Sequence, residues 1–168
     1  NIANKLDIDI FFGDNLNIFK RLIDSSKKYK ANHIVRITGD NPLTDPETLK
    51  KMLISYMNKK IDYMYTNSLF PGLRSEIFSV KALKKCRTLS IDQNSSEYLT
   101  YFFLRKDIFK IRCFIQKKIS EREKKLSITI DTFANYKKLK DLITKNNSNI
   151  YITKKTIIKN LEEDKTKK

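Results

Sequence analysis

Apolar positions along the chain switch between two periods, and the switching predicts the order of elements. Ile8-Asp9-Ile10-Phe11-Phe12 is a short β-rich run closed by Gly13-Asp14-Asn15, after which Leu16, Phe19, Leu22 and Ile23 recur at helical spacing as far as Tyr29. His33 to Ile37 reads as the next strand, and Gly39-Asp40-Asn41-Pro42 as a turn. Thr44-Asp45-Pro46-Glu47 then opens a helix with a cap, a first-turn proline and an acid at the positive end of the dipole. Leu49, Met52, Leu53 and Tyr56 form that helix's apolar face, and Asp62 to Thr66 is a further strand. Strands alternating with helices predict a layered α/β domain with a mainly parallel sheet. Its ligand-facing edge would carry Gly13-Asp14, Gly39-Asp40 and Thr66-Asn67.

The second half is less regular. A loop, Ser68 to Arg74, leads into a strand from Ser75 to Val80 and a short helix from Lys81 to Arg87. A polar connection, Ile91 to Ser96, precedes Glu97 to Arg105, whose Tyr98, Tyr101, Phe102 and Phe103 read as core in preference to a stacking platform. Phe109 to Ile115 is a strand, Gln116 to Lys125 a charged connection, and Leu126-Ser127-Ile128-Thr129-Ile130 an alternating strand. That strand delivers Asp131-Thr132, able to cap a helix from Phe133 to Lys145 with Tyr136, Leu139, Leu142 and Ile143 facing inward. Asn146 to Asn149 is a loop, Ile150 to Ile152 a small strand or turn, and Thr156 to Glu163 a last helix. Residues 1–160 are expected to form one domain and 161–168 a charged, fraying tail.

Composition changes this picture little. At 168 residues, 40% hydrophobic and 32% charged, the chain falls in the range of an ordinary globular domain. No apolar run reaches the roughly 18 residues of a membrane span, and the expectation is a soluble, cytoplasmic protein. Cys86 and Cys113 lie far apart and form no metal-ligand spacing, so both are expected to be reduced and structural. The net charge of +16 predicts attraction to polyanions. Only seven basic residues are arginine, however, and the lysines are scattered pairs, which argues against a nucleic-acid reader and for a coding bias towards lysine.

Two carboxylates follow strands, Asp40 and Asp131. Hard oxygen ligands so placed could hold Mg²⁺ against substrate phosphate, while the alternatives are a turn closed by Asp40 and a helix capped by Asp131. Val35 to Glu47, with its core Thr38-Gly39-Asp40-Asn41-Pro42-Leu43-Thr44-Asp45-Pro46, resembles the central motif of the cytidylyltransferases of the spore coat polysaccharide biosynthesis F type, relatives of the acylneuraminate and keto-deoxy-octulosonate cytidylyltransferases. Phe12-Gly13-Asp14 with Phe19-Lys20-Arg21, Gly72 to Ser79, Ser96 to Thr100, Ser127 to Thr132 and Tyr151 to Glu163 are similar to further segments in the same order.

The resemblance implies a three-layer sandwich of the nucleotide-diphospho-sugar transferase type, lacking the first strand and the nucleotide-binding loop that the family carries upstream. It implies transfer of CMP from CTP to a sugar or sugar acid with release of pyrophosphate, in surface polysaccharide synthesis. Asp40 would bind Mg²⁺ with Asp131 as the second acid, and a homodimer is a further possibility. Glu76 would contact acceptor hydroxyls, or simply open a strand at the surface; Arg36 would reach phosphate, or enter a structural ion pair. Departures from the pattern are Arg74 in place of an acid, Ser96 of arginine, Tyr98 of histidine and Phe133 of proline. They motivate a second reading, a non-catalytic homologue serving as a binding or assembly module; a basic polyanion-binding domain is the third. With only three glycines the chain cannot build a dense phosphate cradle, so these 168 residues alone are expected to be inactive.

Overall fold

Four short strands among the described residues order the molecule. The computed structural model describes residues 2–89, 99–147 and 151–166. The strands are β1 (His33–Arg36), β2 (Tyr63–Thr66), β3 (Glu76–Ser79) and β4 (Ile111–Phe114), and they lie in one sheet in the order β1-β3-β2-β4. Hydrogen bonds give the directions. Asp62 pairs with Lys110, the Thr66 hydroxyl donates to the Phe114 carbonyl and the Gln116 N–H donates to Ser68 Oγ, all at a sequence offset of 48, so β2 and β4 are parallel. Val80 N–H donates to the Asn32 carbonyl while Arg36 pairs with Glu76, four residues on along β1 and four back along β3. That places β3 antiparallel to β1, and Ser79 N–H on the Asp62 carbonyl places it antiparallel to β2. Three strands therefore share one direction and β3, lying between β1 and β2, runs against them, which makes a mixed sheet in an α/β fold.

The helices are α1 (Ile2–Lys5), α2 (Ile18–Lys28), α3 (Pro46–Met57), α4 (Val80–Leu89), α5 (Leu99–Phe103), α6 (Glu121–Lys124), α7 (Phe133–Lys145) and α8 (Lys154–Thr166). Contacts divide the chain into two compact units, one of residues 1–34, 61–63 and 78–111, the other of 35–60, 64–77 and 112–168. In the first, α4 packs on α2 and α5, and Phe103 stacks on Tyr63 at 4.8 Å with Phe78 and Phe109 against its other sides. Cys86 is buried here, and burial pushes its thiol up to about 12, an inert core side chain. The second unit has its own core, in which Leu43, Leu69, Phe70, Leu73, Ile128 and Ile157 are buried.

Several elements differ from the sequence pattern. Ile8 to Phe12 is not a strand: Phe12 is 88% exposed and the segment finds no partner strand among the described residues. Gly13-Asp14 accordingly does not follow a strand, and Asp14 instead accepts from the Leu16 and Asn17 N–H groups ahead of α2. Leu126 to Ile130 keeps its alternation, with Leu126 and Ile128 buried and Ser127 exposed, yet it joins no ladder, because Ile128 donates to Pro71 and Ile130 to Asp40. Tyr136 faces outward, stacked on exposed Phe133, so α7 buries Leu139 and Leu142 without it. In the aromatic cluster Phe103 is core while Tyr101 is exposed; Tyr98 lies outside the described residues, as do Ser96 and Glu97. Residues 151–153 are irregular, and α8 runs from Lys154, longer at both ends than the spacing predicted.

The start of α8 is tied down by charge. Lys154 Nζ lies 2.6 Å from a Glu123 carboxylate oxygen and also donates to the Ser68 carbonyl at 3.3 Å. Glu123 further accepts from Ser120 in the capping box of α6. Lys154, then the Ser120 N–H, pull the Glu123 carboxyl down from 4.5 to about 2. A carboxyl depressed by folding stabilises the fold fully above its unfolded value and loses that contribution as pH falls through its folded value. Glu123→Gln is therefore expected to be less stable than the parent at neutral pH, with the gap closing between pH 4.5 and 2. Urea titrations across that window measure it.

Candidate functional site

The Thr38 to Asp45 loop follows β1, and its structural bonds are made by Asn41. The Asn41 N–H donates to the Thr38 carbonyl at 3.0 Å and its side-chain amide to Thr38 Oγ1 at 2.6 Å, so the turn is closed without the Asp40 carboxylate. Asp45 caps α3 by accepting from the Thr48 N–H at 2.9 Å, and its own N–H donates to the Leu73 carbonyl. The same division holds at the start of α7. Thr132 Oγ1 accepts from the Asn135 N–H while the Asn135 side chain accepts from the Thr132 N–H, a reciprocal capping box. Asp131 is not the cap.

One backbone hydrogen bond brings the two acids' segments together. Ile130 N–H donates to the Asp40 carbonyl at 2.9 Å, which sets Asp131 one residue from a direct contact with Asp40. Asp40 is half-buried and Asp131 exposed. Two carboxylates are hard oxygen donors of the kind Mg²⁺ takes one or two at a time, leaving its other positions to phosphate and water. One residue from Asp40, the Asn41 amide oxygen is buried with no hydrogen-bond partner among the described residues, a further oxygen acceptor left over in the same turn. The donor set fits a magnesium ion completed by substrate oxygens. Among the described residues no group of three or more His, Cys, Asp or Glu could hold a metal by itself.

Arg36 and Glu76 are placed together. Arg36 Nη1 lies 2.9 Å from Glu76 Oε2, across the antiparallel β1–β3 pair, with side chains 22% and 19% exposed. This is the ion-pair alternative for Arg36, and it anchors the strand from which the Asp40 loop leaves. Half-buried pairs fall between the small value of surface bridges and the larger cost of breaking buried ones. A double-mutant cycle with Arg36→Met and Glu76→Gln is expected to return a coupling of about 1–2 kcal/mol in urea unfolding.

The Ser68 to Arg74 loop rests on both acid-bearing segments. Pro71 accepts from the Ile128 N–H at 3.1 Å, Leu73 from the Asp45 N–H at 2.9 Å, and the Arg74 carbonyl from Thr44 Oγ1 at 3.5 Å. A cleft of about 300 Å³ flanks Pro42 to Glu47 and Tyr151 to Thr153. Thr44 and Asp45 there are already engaged, Thr44 with the Asn41 carbonyl and Asp45 with the Thr48 N–H. Sequence spacing marked Asp40 and Asp131 but not the bond that joins their segments. The signal was the alternation of Leu126 to Ile130, whose outward N–H groups needed partners that no ladder supplies.

Comparison with known proteins gives a consistent result. A cytidylyltransferase family model matches residues 13–160. Over 137 residues the chain is 32% identical to the uncharacterized protein MJ1063 of Methanocaldococcus jannaschii, covering 81% of this chain and 56% of that protein. Over the same length it is 26% identical to the spore coat polysaccharide biosynthesis protein SpsF of Bacillus subtilis, covering 81% of this chain and 57% of that one. The chain thus spans little more than half the length of these relatives. A cytidylyltransferase structure from Leptospira borgpetersenii superposes with a TM-score of 0.84 over 98% of this chain and 70% of its own, at 23% identity, which establishes likeness of fold.

Proposed function

The chain belongs to the cytidylyltransferase family, and on that premise we propose that the protein transfers CMP from CTP to a hydroxyl of a sugar or sugar acid, with release of pyrophosphate, in the synthesis of a surface polysaccharide. The observation that carries the reading is the Ile130–Asp40 hydrogen bond: it joins two carboxylate-bearing segments while Asn41 and Thr132 do the turn-closing and capping that would otherwise occupy those acids.

In this reaction the acceptor oxygen forms a bond to the α-phosphorus as the α–β bridging bond breaks, and the hydroxyl proton leaves to solvent. Asp40 and Asp131 would hold Mg²⁺, which when bound offsets negative charge on the triphosphate and on the departing pyrophosphate. The protein's own contribution is placement. The Arg36–Glu76 pair fixes the strand beneath the Asp40 loop, and the bond from Ile130 keeps the second acid in register with the first. Asp40 would offer its ligand from the loop that leaves the C-terminal end of β1, the edge at which α/β sheets bind substrates, and Asp131 from the segment bonded to that loop.

The test is pyrophosphate release from CTP by the complete protein over a panel of sugars and sugar acids. Activity is expected with CTP in preference to UTP, to fall roughly 100-fold or more with a chelator and to return with added Mg²⁺. Release that a chelator leaves untouched would remove the assignment of the two acids to a metal. A non-catalytic homologue, suggested by Arg74, Ser96 and Tyr98, predicts no turnover with any acceptor.

A further inference from the structure

Helices α2 and α4 pack against each other and leave an open groove of about 340 Å³ where they meet. Ile23 and Lys27, one turn apart on α2, line one wall; Lys84, Arg87 and Thr88, at i, i+3 and i+4 on α4, line the other. Ile23 is buried and gives the groove an apolar floor, which the lysine stems extend while their ammonium groups stay in water. Lys27 and Lys84 are exposed and Arg87 is half-buried.

Positive charge is concentrated here beyond what a coding bias towards lysine gives. Across the chain 35 basic residues stand against 19 acidic ones, whereas α2 carries four basic residues to one acid and α4 four to none. The one acid, Asp24, is shared by Lys20 at 3.1 Å and Lys27 at 3.2 Å. Other lysines of these helices are engaged within the fold. Lys85 donates to the Ile108 carbonyl and lies over the Phe109 ring, and Lys28 lies over Phe11 and Tyr29. The Lys84 and Arg87 side chains have no ion pair, hydrogen bond or ring contact among the described residues.

We propose that this groove docks an acidic segment of a partner protein, a peptide that seats an apolar side chain on Ile23 and brings carboxylates to Lys84 and Arg87. Charge complementarity argues for the anion. The apolar floor argues for a peptide over nucleic acid, since single strands are held on stacking aromatics and none of the lining residues is aromatic. An apolar centre with a charged rim is the anatomy of a protein interface. The lining residues belong to α2 and α4 alone, so this docking uses neither Asp40 nor Asp131 and does not depend on cytidylyl transfer.

The complete protein, with ¹³C-labelled isoleucine and threonine methyl groups, is titrated in roughly 150 mM chloride, which screens general charge. The probes are three synthetic peptides: leucine at helical spacing among glutamates, the same with alanine for leucine, and leucine among lysines. The first is expected to shift the Ile23 and Thr88 methyl resonances saturably while that of Ile54, exposed on α3, stays in place. Loss of the leucines should weaken binding roughly tenfold, and the lysine peptide should not bind. Lys84→Glu combined with Arg87→Glu should weaken the first peptide roughly tenfold or more, while Lys137→Glu, the same reversal on α7, leaves it unaltered. Should the double variant not fold, Lys84→Glu alone carries the comparison. Unmoved Ile23 and Thr88 resonances overturn the proposal. An alanine peptide that binds as tightly, or an equal loss from Lys137→Glu, overturns it by assigning the attraction to general positive charge. A tighter response of these methyls to oligothymidylate or to phosphatidylserine vesicles than to the peptide also overturns it, making the groove a nucleic-acid or membrane site.

Discussion

Asp40→Ala in the complete protein is expected to lower kcat for pyrophosphate release roughly a thousandfold. The variant keeps the turn, because Asn41 supplies both of its closing bonds and the bond from Ile130 goes to the Asp40 backbone, which alanine retains. Thermal unfolding should accordingly move little, as surface-facing substitutions away from cores and caps usually cost within about 0.5 kcal/mol. Activity and stability thus part company, and that separation distinguishes a ligand-binding acid from a structural one. Asp131→Ala should behave alike for the same reason, since Thr132 and Asn135 make the cap. Raising the Mg²⁺ concentration is expected to rescue part of the rate in either single variant, the remaining acid still offering one ligand. A full-rate Asp40→Ala enzyme would remove Asp40 from the site.

Much of this was legible along the chain because local chemistry and tertiary structure agree there. Asp45-Pro46-Glu47 announced the start of α3, and the structure uses Asp45 as its cap. The alternation of Leu126 to Ile130 showed which side chains go inward, although not that its N–H groups would serve two separate segments, a choice made by tertiary packing. Ile8 to Phe12 has strand composition, but a strand exists only when a neighbour accepts its bonds, and its own side chains cannot report that. Likewise the pairing of Arg36 with Glu76, 40 residues apart, depends on β3 entering the sheet between β1 and β2 in reverse. A sequence pattern fixes faces; register across long separations is settled by the assembled sheet. Arg74 was visible only as a departure from the family pattern, and its bond to the Leu69 carbonyl emerged with the fold.

Gly72→Ala is expected to destabilise the protein by about 3 kcal/mol or more, while Gly39→Ala stays within about 1 kcal/mol of the parent. The two glycines lie in loops that backbone hydrogen bonds tie to residues 128–130, yet they face opposite constraints. Gly72 has φ +97°, a conformation that side chains avoid, and a Cβ there would lie 2.8 Å from the Ile128 backbone carbon and 2.9 Å from the Thr129 nitrogen. Backbone cannot swing aside as the end of a side chain can. Relief would require residues 128–129 to retreat from the Gly72 loop, and Ile130, next along, holds the bond to Asp40. Gly72→Ala should therefore also lower kcat in whatever fraction remains folded, a loss that stability alone would not produce. Gly39 is exposed, and a Cβ there meets nothing within 4 Å, so alanine only restricts the unfolded chain. Urea unfolding of both variants beside their rates decides the matter: equal stabilities would mean that the Gly72 loop yields where its contacts say it is rigid.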